Sequence, residues 1–166
     1  MIDLDKKVSP HFRLGELVPD NCKEVPPQIM GNLERLCSEL LEPIRQECGA
    51  VVVTSGYRPP AYNASIGGAR TSDHIYGRAA DFYVVGQGDV TWEYMTEAAF
   101  QWAVKNLAGK YGQVILEDHR QHYASKGKLW VHISIPSDKH PGTGDRNSTL
   151  VSLGPGRYEP YGGSGA

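Results

Sequence analysis

Ser72-Asp73-His74-Ile75-Tyr76-Gly77-Arg78-Ala79-Ala80-Asp81 is answered later in the chain by Trp130-Val131-His132. Together these segments offer two imidazoles and one carboxylate to a single divalent metal. Three protein ligands leave a coordination position open, which is the mark of a catalytic rather than a structural site. Gly77 lets the chain turn after His74, so that Asp81 returns on a strand predicted over 79–85. Alternation puts Asp81 on one face with Ala79 and Tyr83, while Ala80, Phe82 and Val84 face the other way. In 130–135 the apolar set is Val131, Ile133 and Ile135, so His132 projects with Trp130 and Ser134. Taken singly, each of these histidines is a polar group that hydrogen bonds would satisfy. The joint pattern is what points to a metal.

Working outward, Gln28 to Glu47 carries Ile29, Leu33, Leu36, Leu40 and Ile44 at helical spacing, with Pro43 expected to kink or restart the helix and Gly49 to close it. Residues 1–27 read as an irregular arm containing Pro10, Pro19, Pro26 and Pro27. Val51-Val52-Val53-Thr54-Ser55 is a short strand ended by the turn cluster Gly56-Tyr57-Arg58-Pro59-Pro60, and a loop or short helix runs on to Gly67-Gly68. Thr91 to Leu107 is a second long helix with Met95, Ala99 and Trp102 on one stripe; Trp92 and Phe100 also read as packing residues. Val114 to Glu117 and Trp130 to Ile135 pair as a hairpin whose loop carries Asp118, His119 and His122. The order helix, strand, strand, helix, strand, strand favours an α+β fold with a small, mainly antiparallel sheet flanked by helices. Residues 1–137 form the domain. Residues 138–166 are rich in Gly, Pro and Ser, a composition that builds no core, and are expected to be a tail that is mobile or docked on a partner.

A chain of 166 residues, 40% hydrophobic, is long enough for one domain with a sizeable core, and a net charge of -2 gives no electrostatic footprint for nucleic acid or an anionic membrane. No apolar run is long enough to span a bilayer, and Met1-Ile2-Asp3-Leu4-Asp5-Lys6-Lys7 lacks the order of a secretory signal, so synthesis in the cytosol is expected. Cys22, Cys37 and Cys48 are odd in number and lack a CxxC spacing; they read as reduced, with Cys37 and Cys48 as core fillers.

The set Ser72-x-His74-x-x-Gly77-x-Ala79-x-Asp81 with Trp130-x-His132 resembles the zinc D-alanyl-D-alanine carboxypeptidase-like family of peptidoglycan peptidases, whose fold is shared with the hedgehog signalling domain. The likeness extends to His11-Phe12 with Glu16-Leu17, Leu41-x-Pro43-Ile44-Arg45, Thr54-Ser55-Gly56-Tyr57-Arg58-Pro59, Gly67-Gly68-Ala69 and Gln113-Val114-Ile115-Leu116-Glu117, and is similar to the phage and bacterial subgroup over residues 9–136. The resemblance implies zinc held by His74, Asp81 and His132, Arg58 facing the scissile carbonyl, and Ser72 beside the substrate. Trp130 is a further candidate for lining the cleft. The implied substrate is the peptide stems of peptidoglycan, cut by a carboxypeptidase or endopeptidase acting in phage lysis or at wall entry. Such an enzyme would reach the wall on lysis or as part of a virion.

Many relatives place a catalytic Glu or Asp three residues before the last histidine, where this chain has Leu129. Glu117, at the end of the neighbouring strand, is the first choice for the general base, with Asp118, His119 and His122 as alternatives. A second reading keeps the fold without the reaction, as a structural virion or tail component whose C-terminal tail contacts other phage structural proteins. A third, a two-histidine-one-carboxylate iron oxygenase, calls for a jelly roll with more strands than this chain offers.

Overall fold

In the computed structural model, residues 2–124, 127–137 and 147–162 are described. One six-stranded sheet organises the fold. In chain order its strands are β1 (Val51–Ser55), β2 (Ala79–Val84), β3 (Gln113–Asp118), β4 (Leu129–Ser134), β5 (Ser148–Ser152) and β6 (Tyr158–Pro160). In space the order is β1-β2-β4-β3-β5-β6. Every pairing is antiparallel except β3 with β5. The architecture is α+β with a mainly antiparallel sheet, as the order of elements predicts, and a single sheet of this kind is not the jelly roll of the oxygenase reading.

The helices are α1 (Leu14–Leu17), α2 (Pro27–Leu36), α3 (Glu42–Cys48), α4 (Pro60–Ser65) and α5 (Trp92–Asn106). Between α2 and α3 the chain passes through one wide π-type turn, Cys37–Leu41, and Pro43 then sits in the first turn of α3. Proline has no N–H to donate to the carbonyl four residues back, so the helix widens and restarts instead of breaking. Leu33, Leu36, Leu40 and Ile44 are fully buried and join Phe82, Val84, Val131 and Ile133 in the core. Helix α5 presents Thr96, Ala99, Phe100 and Ala103 to that core, while Met95 and Trp102 are only partly buried. The inward stripe is therefore rotated from the expected one. The polar Thr96 faces inward because its hydroxyl accepts from Val84 N at 3.0 Å and donates to Trp92 O at 2.7 Å. Cys37 and Cys48 are free thiols in the core, and burial pushes Cys37 up to about 12.

The C-terminal segment departs from the expectation set by its composition. Of the expected tail, residues 138–146 and 163–166 lie outside the described residues, while 147–162 add two strands to the chain's own sheet. Asn147 turns the chain in with a positive φ of 61°. Thr149, Leu150 and Val151 then lie parallel to Val114, Ile115 and Leu116, and β6 folds back on β5. Tyr161 packs edge-on against Phe100, 4.9 Å between ring centres. A five-residue strand has little propensity of its own, but β3 presents an open edge whose backbone groups need partners, and pairing there outweighs composition.

On one face of the sheet lies the core. The other face, set by strand alternation, carries Asp81 on β2, His132 on β4, Ile115 and Glu117 on β3, and Leu150 and Ser152 on β5, with Asp81 opposite His132 and His132 opposite Ile115.

Candidate metal centre and active site

Ser72 caps a single 3-10 turn, Asp73–Tyr76, its hydroxyl accepting from His74 N at 3.3 Å. Gly77 ends that turn in the left-handed region at φ 64°, and a Cβ there would lie 2.7 Å from Ile29 Cγ2 and 3.1 Å from Ile29 O. Only glycine meets both demands. Gly77→Ala is expected to destabilise the protein by more than about 1 kcal/mol, because alanine is strained at positive φ and has no room here. Urea denaturation measures this, and an unchanged midpoint would show that the turn relaxes freely.

The turn sets His74 deep in the structure, 2% exposed. Its Nδ1 donates to Gly56 O at 2.7 Å, and Arg58 N donates to His74 O at 3.0 Å, lacing the 56–58 turn to the histidine. That turn is braced in its own right, since Tyr57 N donates to Leu17 O at 2.7 Å and the backbone of Leu17 leaves no space for a side chain at Gly56. The arm residues around α1 thus support the site from behind.

Asp81 accepts on both sides. Its Oδ1 lies 3.2 Å from His74 Nε2 and 2.9 Å from His132 Nδ1, while Oδ2 receives Arg58 Nη2 at 2.6 Å. Burial acts to raise the Asp81 pKa, but the two imidazoles overcome it and hold the carboxyl well below the usual carboxylate range. Ala79, fully buried and on the same face as Asp81, leaves space for the cluster, while Ala80 faces the core. A carbonyl can only accept, so His74 Nδ1 carries a proton toward Gly56, which leaves Nε2 as the ring nitrogen facing Asp81. The three candidate ligand atoms fall within 4.8 Å of one another. Nitrogen and carboxylate donors so arranged, one histidine oriented from behind by a backbone carbonyl, fit a divalent transition metal of the zinc type.

Arg58 is bonded to Asp81 and, through Nε, to Ser55 Oγ at 2.8 Å. It lines the cleft, with Nη2 holding the carboxylate and Nε anchored on Ser55. The cleft has a volume of about 480 Å³. Ser72, His74, Asp81 and Arg58 border it on one side, and Glu117, Trp130 and His132 on the other. These seven sequence-predicted side chains therefore meet in one concavity, whereas Asp118, His119 and His122 do not line it. Leu129 lies on the Val131 face, by strand alternation, so a carboxylate there would not enter the cleft from this strand.

Register sorts the remaining acid-base candidates. Glu117 faces the cleft and is buried. Asp118, the next residue, turns away and is held by Arg120 at 2.8 and 2.7 Å, which lowers its pKa, while Arg120 also reaches Glu97 at 2.6 Å. His119 lies under the cleft wall, 4% exposed, against Glu117, Ser152 and the Trp130 ring. His122 packs over Gly154.

Tyr158, absent from the sequence-based set, also lines the cleft. Burial, the charges of Glu117 and Asp81, and a hydrogen bond to Glu117 raise its phenol above the ordinary value. The available signal was the pattern Leu150-Val151-Ser152, Gly154-Pro155-Gly156, Tyr158-Glu159-Pro160, two short runs about a glycine-proline turn, which reads as a hairpin once the segment is not dismissed as a tail. On the far side of Trp130 a second, apolar trough of about 610 Å³ runs past Tyr83 and Trp92, whose rings meet edge-on at 5.8 Å. Among the described residues no helix is long and apolar enough to cross a membrane.

A protein-family model described as Peptidase M15 matches residues 11–104, more than half of the chain, taking in Arg58, Ser72, His74 and Asp81. No curated protein matches the chain.

Proposed function

Because the chain belongs to the peptidase M15 family, we propose that it is a zinc-dependent peptidase that hydrolyses amide bonds in the peptide stems of bacterial peptidoglycan, serving phage lysis or wall entry. The family match agrees with the resemblance carried by the motifs and makes the protein a hydrolase of peptide bonds. The observation that carries the metal assignment is the convergence of ligand atoms from His74, Asp81 and His132 within 4.8 Å of one another, with His74 held from behind through Nδ1 by Gly56 O.

His74, Asp81 and His132 would hold the zinc, which when bound supplies Lewis acidity toward an amide carbonyl and toward water. Arg58 keeps Asp81 in place through Oδ2. Glu117, in the same cleft, accepts the proton of the attacking water and returns it to the leaving amine, the task of a carboxylate positioned in a partly closed site. Ser72, Trp130 and Tyr158 border the space the peptide occupies. The peptidoglycan substrate is supported by the motif resemblance, and the open cleft is compatible with an extended peptide.

Purified protein is expected to release peptide fragments from peptidoglycan, to stop when a chelator is added and to recover with zinc, leaving the glycan strands intact. Mass spectrometry of the fragments identifies the bond. Release of reducing sugars would contradict the peptidase reading. Inertness of fully metallated protein on several wall chemotypes would favour the alternative, a virion component that keeps the fold.

A further inference from the structure

We propose that His119 and Ser152 form a positioning device that fixes Glu117 for proton transfer, His119 acting as a hydrogen-bond donor and not as the base. The inference rests on the reading of Glu117 as proton acceptor. Its ground is a chain of proton directions that three distances impose. His119 Nε2 lies 3.1 Å from Glu117 Oε2 and 3.1 Å from Ser152 Oγ, and Ser152 Oγ lies 2.9 Å from Gly154 O. A carboxylate has no proton to give, so Nε2 carries one and donates it to Glu117. Ser152 then meets the same N–H as an acceptor, and its own proton is directed to Gly154 O, which as a carbonyl only accepts.

One nitrogen thus serves both contacts. A serine-histidine-acid relay needs the serine and the acid on opposite ring nitrogens, so this cluster is not a nucleophilic triad. The ring has no slack: it is 4% exposed, pinned between strands β3 and β5 and edge-on to Trp130 at 4.7 Å. With Oε2 engaged by a fixed donor and Tyr158 hydrogen-bonded to the same group, the Glu117 carboxylate keeps one orientation in the cleft. Ser152, fully buried, belongs to the last long strand of the sheet, so the C-terminal segment contributes to the reacting group itself.

Two measurements test this. Long-range proton-nitrogen NMR of the whole protein, with His119 assigned through His119→Gln, is expected to show Nε2 protonated; a neutral ring with its proton on Nδ1 would overturn the proposal without reference to any substrate. In kinetics on purified peptidoglycan, His119→Leu removes the donor and is expected to lower kcat about tenfold or more with KM and zinc content unchanged. His119→Gln presents an amide N–H close to the position of Nε2 and is expected to restore most of that loss. If His119→Gln were as inactive as His119→Leu, His119 would be doing more than donating and the proposal would fail. A Glu117→Gln variant of wild-type turnover would instead overturn the reading of Glu117 as base, while the NMR result would still stand or fall on its own.

Discussion

The intact protein is expected to hold about one zinc ion per chain, and His74→Ala, Asp81→Ala and His132→Ala are each expected to lose most of it, since removing one of three protein ligands leaves an incomplete shell. The effect should be similar for all three, because Asp81 Oδ1 sits between the two imidazoles and no other described carboxylate or histidine joins the group. Arg58→Ala acts one step removed. It frees Asp81 Oδ2 and is expected to weaken zinc binding by about 10–100-fold without abolishing it, the usual consequence of losing a group that orients a ligand. Elemental analysis after dialysis, and titration with a zinc indicator, read both effects. Stoichiometric zinc with unchanged affinity in all three alanine variants would mean that the metal, if any, lies elsewhere.

Glu117→Gln is expected to leave zinc bound and to reduce turnover by about a hundredfold or more, because glutamine preserves size and shape but does not accept a proton at neutral pH. Glu117 faces the cleft while its neighbour Asp118 is tied to Arg120 on the opposite side, so Asp118→Asn should have little effect on turnover. His122→Ala should cost much less than Glu117→Gln. Steady-state rates at saturating substrate decide the matter, and an active Glu117→Gln enzyme beside a dead Asp118→Asn or His122→Ala variant would move proton transfer away from Glu117.

The site was legible where its geometry is local. His74, Gly77 and Asp81 are separated by one turn, and strand alternation alone brings Asp81 to the face that His132 shares across the β2–β4 pair. Pro43 likewise announced the restart of the helix, because a missing N–H has the same consequence in any context. Choosing among Glu117, Asp118, His119 and His122 required the register of β3 against β4 and β5, which is a property of the assembled sheet. The inward face of α5 was misplaced for a related reason: Thr96 is turned in by a hydrogen bond to Val84 N on another element, and hydropathy does not register such a bond. Strands β5 and β6 were missed because their stability comes from the edge of β3, and an average over a glycine-rich window hides a five-residue run. Tyr158 was lost with them.

The parallel pairing of β5 with β3 also bears on when the enzyme comes into being. Strand β3 emerges from the ribosome well before Ser148, and until β5 arrives its outer edge has backbone groups without strand partners while Glu117 has no Ser152 beneath its histidine. Chains lengthen at about 5–20 residues per second, so each nascent molecule passes through an interval of seconds in which the candidate metal ligands have been made but the wall behind Glu117 has not. Assembly order therefore makes competence for hydrolysis a late event, reached only after the β5–β6 hairpin has been synthesised. It also makes the exposed β3 edge the place where an interrupted chain would first find a wrong partner.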